Sequence, residues 1–310
     1  MSVVIVNPSS AGGSTGEAWP QIASDLRSHF GAFRVVFTKH RGDAATLAGD
    51  AARKGAKLII ACGGDGTISE VANGILSSGK DAELGVLPSG TGGDFRRTLE
   101  IPSRARDAAR ILRTGRTARI DVGRVSYVDH NGNDATRYFV GVASCGMSTK
   151  VIERVKAGHA SFASALLQTA MRNEPVRLVV QLDDSHERHL VVSNLCVANA
   201  RYFGGGMKIA PDAKLTDGKF DVVGVGDLSA LKIFTSAPRV YTGSHLSMPE
   251  VSHALARKVT VSAADRTAEV GLEVDGELPG RLPATFQIIP EALRVRVNGF
   301  YLCNLWLNIL

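Results

Sequence analysis

The chain has 310 residues, 44% hydrophobic and 21% charged, a balance that fits a globular protein and excludes disorder, collagen and coiled coil as the dominant state. Glycine is in surplus, 33 residues against a usual share of about 7%, and without a Gly-X-Y period the excess belongs in turns and in loops where backbone meets a ligand. The net charge of +6 matches the excess of eight arginines over two acids between residues 96 and 119, so it is a local basic patch that points to an anionic partner.

Val3 to Val6 is a short apolar run stopped by Asn7-Pro8 and predicts a buried strand. Trp19, Ile22, Ala23, Leu26 and Phe30 recur at helical spacing, and Val35-Val36-Phe37 is strand-like. Asp43 stands as an N-cap before Ala44, Leu47, Ala48, Ala51 and Ala52. Leu58 to Cys62 predicts a strand, and Ile68, Val71, Ala72, Ile75 and Leu76 give an i, i+3, i+4, i+7, i+8 helical stripe. Leu84 to Leu87 is a further strand, stopped by Pro88. This alternation predicts a parallel sheet with crossover helices. Residues 103–113 predict a helix with Ala105, Ala108, Ala109 and Leu112 on one face and Arg106, Arg110 and Arg113 on another.

From about residue 119 the pattern turns strand-rich, with candidates at 120–128, 137–142, 176–182, 190–198, 220–225, 259–261, 268–274, 286–289 and 293–297. Helices interrupt it at roughly 147–156, 160–172 and 228–246. The fold class is therefore α/β: an N-terminal parallel-sheet α/β domain over 1–121, then a larger β-rich, antiparallel, sandwich-like domain over 122–299. The apolar segment 300–310 is a candidate to rejoin the first domain. Cys62, Cys145, Cys196 and Cys303 form no C-x-x-C, which fits a reducing compartment. The N-terminus lacks signal-peptide features and no run of about 18 apolar residues occurs, which points to a cytoplasmic protein.

Gly63-Gly64-Asp65-Gly66-Thr67 lies between a predicted strand and a predicted helix. Strand, glycine turn and helix N-terminus together make an anion site. Asp65 would repel a bare phosphate, so it implies a metal or a second, cationic layer; a Mg²⁺-nucleotide is a ligand that needs an Asp there. A tight turn with Asp65 as an N-cap is the plainer alternative. Asn7-Pro8-Ser9-Ser10-Ala11-Gly12-Gly13 and Leu87-Pro88-Ser89-Gly90-Thr91-Gly92-Gly93-Asp94 also follow predicted strands. In an open parallel sheet ligands bind at the strands' carboxyl ends, where three such loops can converge on one polyphosphate.

These motifs resemble the bacterial diacylglycerol kinase-like lipid kinases, relatives of the sphingosine kinases. The resemblance is carried by Asn7-Pro8, Gly63 to Thr67 with Glu70 and Asn73, Pro88-Ser89-Gly90-Thr91 with Asp94-Phe95, Asn199 before Gly204-Gly205-Gly206-Met207, then Pro211, Ala213, Asp217-Gly218, Asp221 and Asp275-Gly276-Glu277. It implies an ATP-dependent lipid kinase with its site in an interdomain cleft. It implies nucleotide contacts from Asn7, Pro8, Ser9, Ser10, Ala11, Thr38, Gly64, Asp65, Gly66, Thr67, Ile68, Ser69, Glu70 and Thr91. A catalytic Mg²⁺ network would fall on Asp65, Asp94 and Asp121, and Glu277 would be the general base toward the lipid hydroxyl. A structural metal site is implied at Lys214, Asp217 and Lys219.

Two positions depart from the family pattern: Gly93 stands where Asn is common, and Gly12 to Gly16 replace basic residues after the first loop. Arg97 is the candidate cation for the phosphates. The partners implied are a lipid substrate at a membrane surface and anionic phospholipid, with peripheral membrane association, no nucleic acid, and homodimerisation left open. A slot lined by Phe162, Ala165, Leu166, Ala170 and Met171 is a candidate lipid site. An NAD kinase-type phosphotransferase and a non-catalytic lipid- or nucleotide-binding relative are the competing readings. A P-loop NTPase is disfavoured for lack of its motif. A hydrolase elbow is disfavoured because Ser14 is too far from the end of the first strand.

Overall fold

The structure, a computed structural model, describes residues 1–157, 162–172 and 174–299. The chain divides into two compact units: Met1–Asp121 with the chain from Pro290 onward, and Val122–Ile289. The return to the first unit thus begins at Pro290, ahead of segment 300–310, which lies outside the described residues.

The first unit alternates β1 (Ser2–Val6), α1 (Ser14–His29), β2 (Arg34–Phe37), α2 (Asp43–Arg53), β3 (Leu58–Gly63), α3 (Asp65–Ser77) and β4 (Glu83–Pro88), followed by α4 (Asp94–Thr98) and α5 (Ala105–Thr114). The strand order is β2–β1–β3–β4, all parallel: Val4 pairs with Val35 on one side and Ile60 on the other, and Ile60 pairs with Gly85. β1, β3 and β4 are buried almost throughout, as strands covered on both faces require, whereas β2 is partly exposed. On α3, Ile68, Val71, Ala72 and Ile75 are buried. α3 lies so close to α2 that a Cβ on Gly74 would sit 2.1 Å from the Ala45 carbonyl oxygen. α5 buries Ala108, Ala109 and Leu112 and exposes Arg106, Arg110 and Arg113.

The chain leaves along β5 (Arg116–Asp129), which in the second unit pairs with β6 (Asp134–Phe139). There follow β7 (Val142–Gly146), α6 (Met147–Lys156), α7 (Phe162–Met171), β8 (Val176–Leu182), β9 (Arg188–Ala198), β10 (Phe220–Gly226), α8 (Ala230–Thr242), β11 (Val251–Ala256), β12 (Lys258–Ala263), β13 (Gly271–Val274) and β14 (Glu277–Val297). The unit is antiparallel. β9 and β14 are bridged by two ladders, β7 with β13 and β8 with β12, and β10 and β11 extend beyond β9. Side chains from all these strands share one core, in which Phe139 stacks on Phe220 at 5.6 Å and meets Phe286 edge-on at 6.2 Å.

Sequence spacing misses β11 and α4, and it reads two strands, 286–289 and 293–297, where β14 is continuous. Pro290 suggests a break. Glu291 does adopt a left-handed φ of 50°, but its N–H donates to the buried Asp121 carboxylate at 2.9 Å, which holds the strand through the irregularity. The predicted strand 137–142 is divided between β6 and β7 by a corner at Val140-Gly141.

β14 ends as a fifth parallel strand of the first unit, with Arg294 opposite Glu83 and Val295 opposite Leu84. A bidentate ion pair fixes this register: Arg296 donates to both oxygens of the buried Glu83 at 2.8 and 2.7 Å, and Thr117 adds a third bond. Burial would raise the Glu83 carboxyl, but the bonds from Arg296 and Thr117 outweigh it and hold it below its ordinary value.

Candidate active site

In the first unit three loops leave the carboxyl ends of adjacent parallel strands, and their own side chains tie them together. After β1, Asn7 donates through Nδ2 to Thr67 Oγ1 at 3.0 Å, and its Oδ1 accepts from the Ser9 N–H. Ser10 and Thr15 both donate to the Ser89 carbonyl, at 3.0 and 2.6 Å, linking this loop to the one after β4. Ala11, Gly12 and Gly13 are all left-handed, with φ of 53°, 68° and 97°. For Ala11 that costs roughly 1–2 kcal/mol, strain of the kind found at ligand loops.

The loop after β3 enters α3 directly. The N–H groups of Asp65, Gly66 and Thr67 precede the first intrahelical bond, Ile68 N–H to the Gly64 carbonyl, so the helix turns donors outward there. The Asp65 carboxylate accepts from Gly93 N–H at 2.7 Å and from Phe95 N–H at 3.0 Å, one oxygen each, and so clamps the loop after β4 on both sides of Asp94. Backbone meets backbone here: a Cβ on Gly90 would fall 2.5 Å from the Gly64 Cα. Gly92 is equally constrained, its Cβ position lying 2.7 Å from Asp65 Oδ2.

Gly93 has φ 68° and ψ 37°, left-handed geometry that glycine and asparagine both tolerate. Its departure from the family pattern therefore keeps the backbone path, and its N–H still binds Asp65.

Arg97 does not reach out as a free cation. It pairs with Asp94 Oδ1 at 3.0 Å and donates to the Gly92 carbonyl. Glu70 spends its carboxylate on Gly42 N–H and Ala44 N–H at 3.0 and 3.1 Å, fastening the start of α2. Thr67, Ile68 and Ser69 are buried, so Ile68 and Ser69 belong to the packing under α3. Thr91 is exposed, and Thr38 is joined to β1 by its N–H on the Val6 carbonyl. Pro8 packs by its carbonyl and Cβ where a side chain on Gly16 would go. Asp65 and Asp94 thus share one loop cluster, whereas Asp121 is buried and holds Glu291. Among the described residues no group of three or more His, Cys, Asp or Glu gathers for a metal.

In the second unit, Asp275-Gly276 is a two-residue hairpin turn from β13 to β14, with φ 49° and 79°, and Glu277 opens the second strand. The Asp275 carboxylate accepts from Val140 N–H and Gly141 N–H at 3.0 and 2.9 Å, and Asn199 Nδ2 donates to the Val140 carbonyl at 3.2 Å. Glu277 pairs with Lys156 at the end of α6, Oε2 to Nζ 3.1 Å, and its side chain is largely shielded. Asp217 accepts from Lys219 N–H at 3.1 Å in the loop before β10, and Lys214 lies on the same loop. Of the candidate lipid slot, Ala165 and Ala170 are buried and Met171 is exposed, while the Phe162 side chain lies outside the described residues.

Sequence spacing overlooks Thr15, Ser144 and Glu273. Glu273 alternates with Leu272 and Val274 on β13, so it faces away from the shared core, yet it is 4% exposed. It accepts from Gly276 N–H at 2.6 Å and from the Ser144 hydroxyl, which also meets Ser148 at 2.7 Å. Burial pushes its carboxyl up to about 7, against the bonds from Ser144 and Gly276. A carboxyl raised in this way favours the folded state most below its ordinary 4.5, and that contribution is lost as pH rises to about 7. The span is worth roughly 3 kcal/mol. In Glu273→Gln the fall in thermal midpoint from pH 5 to pH 8 should be smaller than in the unmodified protein; an equal fall would show that Glu273 does not titrate there.

Residues 1–125 match the diacylglycerol kinase catalytic domain, and residues 141–297 match the YegS C-terminal NAD kinase beta sandwich-like domain. A diacylglycerol kinase of Mycobacterium tuberculosis (strain CDC 1551 / Oshkosh) is 31% identical over 84% of this chain and 87% of its own. One of Staphylococcus haemolyticus (strain JCSC1435) is 31% identical over 94% and 86%. The crystal structure of a diacylglycerol kinase from Bacillus anthracis str. Sterne superposes with a TM-score of 0.72 over 97% of each chain, at 22% identity, a likeness of fold.

Proposed function

We propose, given that this chain belongs to the diacylglycerol kinase family of lipid kinases, that it transfers the γ-phosphoryl group of ATP to the hydroxyl of a lipid alcohol, diacylglycerol-like or sphingoid. The observation that carries this reading is the Asp65 clamp on Gly93 and Phe95, which, with Asn7 on Thr67 and Ser10 on the Ser89 carbonyl, gathers glycine-rich loops from three adjacent strand ends around the N-terminus of α3. Such a cluster suits a nucleotide's phosphates.

Asn7 and Ser10 hold the first loop against the other two, and the N–H groups at the start of α3 face the phosphates. Asp65 and Asp94 offer hard oxygen donors, and Mg²⁺ is usually held by one or two carboxylates plus substrate phosphates, so two carboxylates on one loop cluster fit it. Bound there, Mg²⁺ would neutralise charge spreading over the transferring phosphoryl oxygens. Asp121, held by Glu291, is assigned an indirect role through water. Arg97 keeps Asp94 and the Gly92 carbonyl in place and so positions the loop.

As the lipid oxygen bonds to the γ-phosphorus, the bond to the β-phosphate oxygen breaks, ADP leaves, and the hydroxyl proton passes to Glu277. Glu277 accepts that proton as the alcohol acidifies in the transition state, so its position matters more than its basicity. Asp275 and Glu273 fix the turn that presents Glu277. Asp217, with the carbonyls of Lys214 and Lys219, is assigned a structural metal. Arg106, Arg110 and Arg113, exposed on α5, are assigned to anionic headgroups at a membrane surface. Among the described residues no helix is long and apolar enough to cross a membrane.

The NAD kinase beta sandwich-like description of residues 141–297 favours one second reading, a phosphotransferase acting on NAD. Incubation with γ-labelled ATP and a panel of dispersed lipid alcohols tests the proposal. Label is expected in at least one lipid, and its absence from every member would overturn a lipid acceptor.

A further inference from the structure

α8 shows solvent the side that a surface helix usually buries. Leu231, Phe234, Pro238 and Tyr241 recur at i, i+3, i+7 and i+10, one stripe of the helix, and all four are exposed. Leu231 is 73% exposed, Phe234 64% and Tyr241 51%, and α8 buries none of its residues. Beneath the stripe, Ile233, Ala237 and Val240 are half-buried and seat the helix on its unit. A helix that turned its apolar face to the core would carry the opposite arrangement.

The stripe has a polar and cationic border. Lys232, Thr235, Arg239 and Thr242 follow at the same spacing one residue round, and no acidic residue occurs from Ala230 to Thr242. Lys232 is paired with Glu250, whereas Arg239 is exposed. Aromatic and aliphatic side chains beside cations, with no acid among them, complement an anionic, half-apolar surface such as phospholipid headgroups over acyl chains. A second copy of the chain fits less well. Four partly exposed side chains supply roughly half of the about 800 Å² per partner that a stable dimer buries. Pairing about a twofold axis would also set the cationic border against itself.

From this we infer that α8 is an interfacial docking helix, which lays Leu231, Phe234 and Tyr241 into the surface of an anionic phospholipid bilayer with Arg239 at the headgroups. The inference rests on the lipid-kinase reading for its reason, because a water-borne enzyme must meet a substrate held in a bilayer. The docking surface itself is independent of catalysis.

The test is co-sedimentation of the full chain with vesicles of phosphatidylcholine containing phosphatidylglycerol. Leu231→Ser/Phe234→Ser removes two of the three apolar side chains that enter the bilayer. It should weaken vesicle binding at least about tenfold, with the thermal midpoint unchanged because both side chains are exposed. Arg239→Glu should weaken binding to the mixed vesicles and leave the weaker binding to pure phosphatidylcholine unaltered. Unchanged vesicle binding in the double variant overturns the proposal, as does failure of the unmodified chain to bind. A loss of dimer mass in that variant without loss of vesicle binding would assign the stripe to a second copy, and also overturns it. Vesicle binding is read without turnover, so a chain that docks through α8 but phosphorylates no lipid would refute the kinase reading and leave the docking helix standing.

Discussion

Replacing Glu277 by Gln is expected to lower kcat by about 10²–10⁴, the range that a positioned general base contributes. The substitution keeps shape and hydrogen-bonding reach and removes the negative charge and with it the ability to take a proton. Glu277 stands at the first position of β14, directly after a turn held through Asp275 by Val140 and Gly141 and through the Gly276 N–H by Glu273. Glu277 pairs with Lys156, whose side chain is one-third exposed, so loss of the charge should cost little stability. The expected signature is therefore a fall in kcat with nucleotide binding and thermal midpoint near those of the unmodified protein. Near-normal kcat in Glu277→Gln would remove Glu277 from the chemistry.

Asp65→Ala carries the second large effect, a loss of turnover of at least about a thousandfold with the fold retained. Two functions end together. The loop after β4 loses both carboxylate acceptors that fix the Gly93 and Phe95 N–H groups, and the loop cluster loses one of its two carboxylates. α3 itself should survive, since Ile68, Val71, Ala72 and Ile75 keep it packed. Asp65→Asn separates the two functions. It retains one oxygen acceptor for the loop and forfeits the charge, so it should bind nucleotide more tightly than Asp65→Ala yet remain nearly as slow. Equal, near-normal rates in both variants would show that Asp65 only shapes the turn.

The glycine surplus had a readable address. Twelve of the 33 glycines fall at Gly12, Gly13, Gly16, Gly63, Gly64, Gly66, Gly90, Gly92, Gly93, Gly204, Gly205 and Gly206, in or beside three first-unit loops and in one second-unit loop. The α3 stripe was legible because helical spacing is local, and the loops because glycine next to a strand end is a local signal too. What stayed hidden depends on register between distant segments. Glu273 reads as an ordinary strand residue until β13 is set against β7, where Ser144 lies opposite it. Thr15 gains its meaning only from Ser89, far along the chain. Ile68 and Ser69 sit inside a binding motif by spelling but under a helix by packing, since a helix that opens at the motif must turn some of it inward. The exposed stripe of α8 was invisible for a related reason: periodicity shows that a stripe exists, and only the packing shows that it faces out.

One reaction tests the central claim most directly. The chain is incubated with γ-labelled ATP, Mg²⁺, dispersed diacylglycerol and NAD together, and the products are partitioned between organic and aqueous phases. Label is expected in the organic phase as phosphorylated lipid, lost in Glu277→Gln. Label confined to the aqueous phase as phosphorylated NAD would contradict that claim.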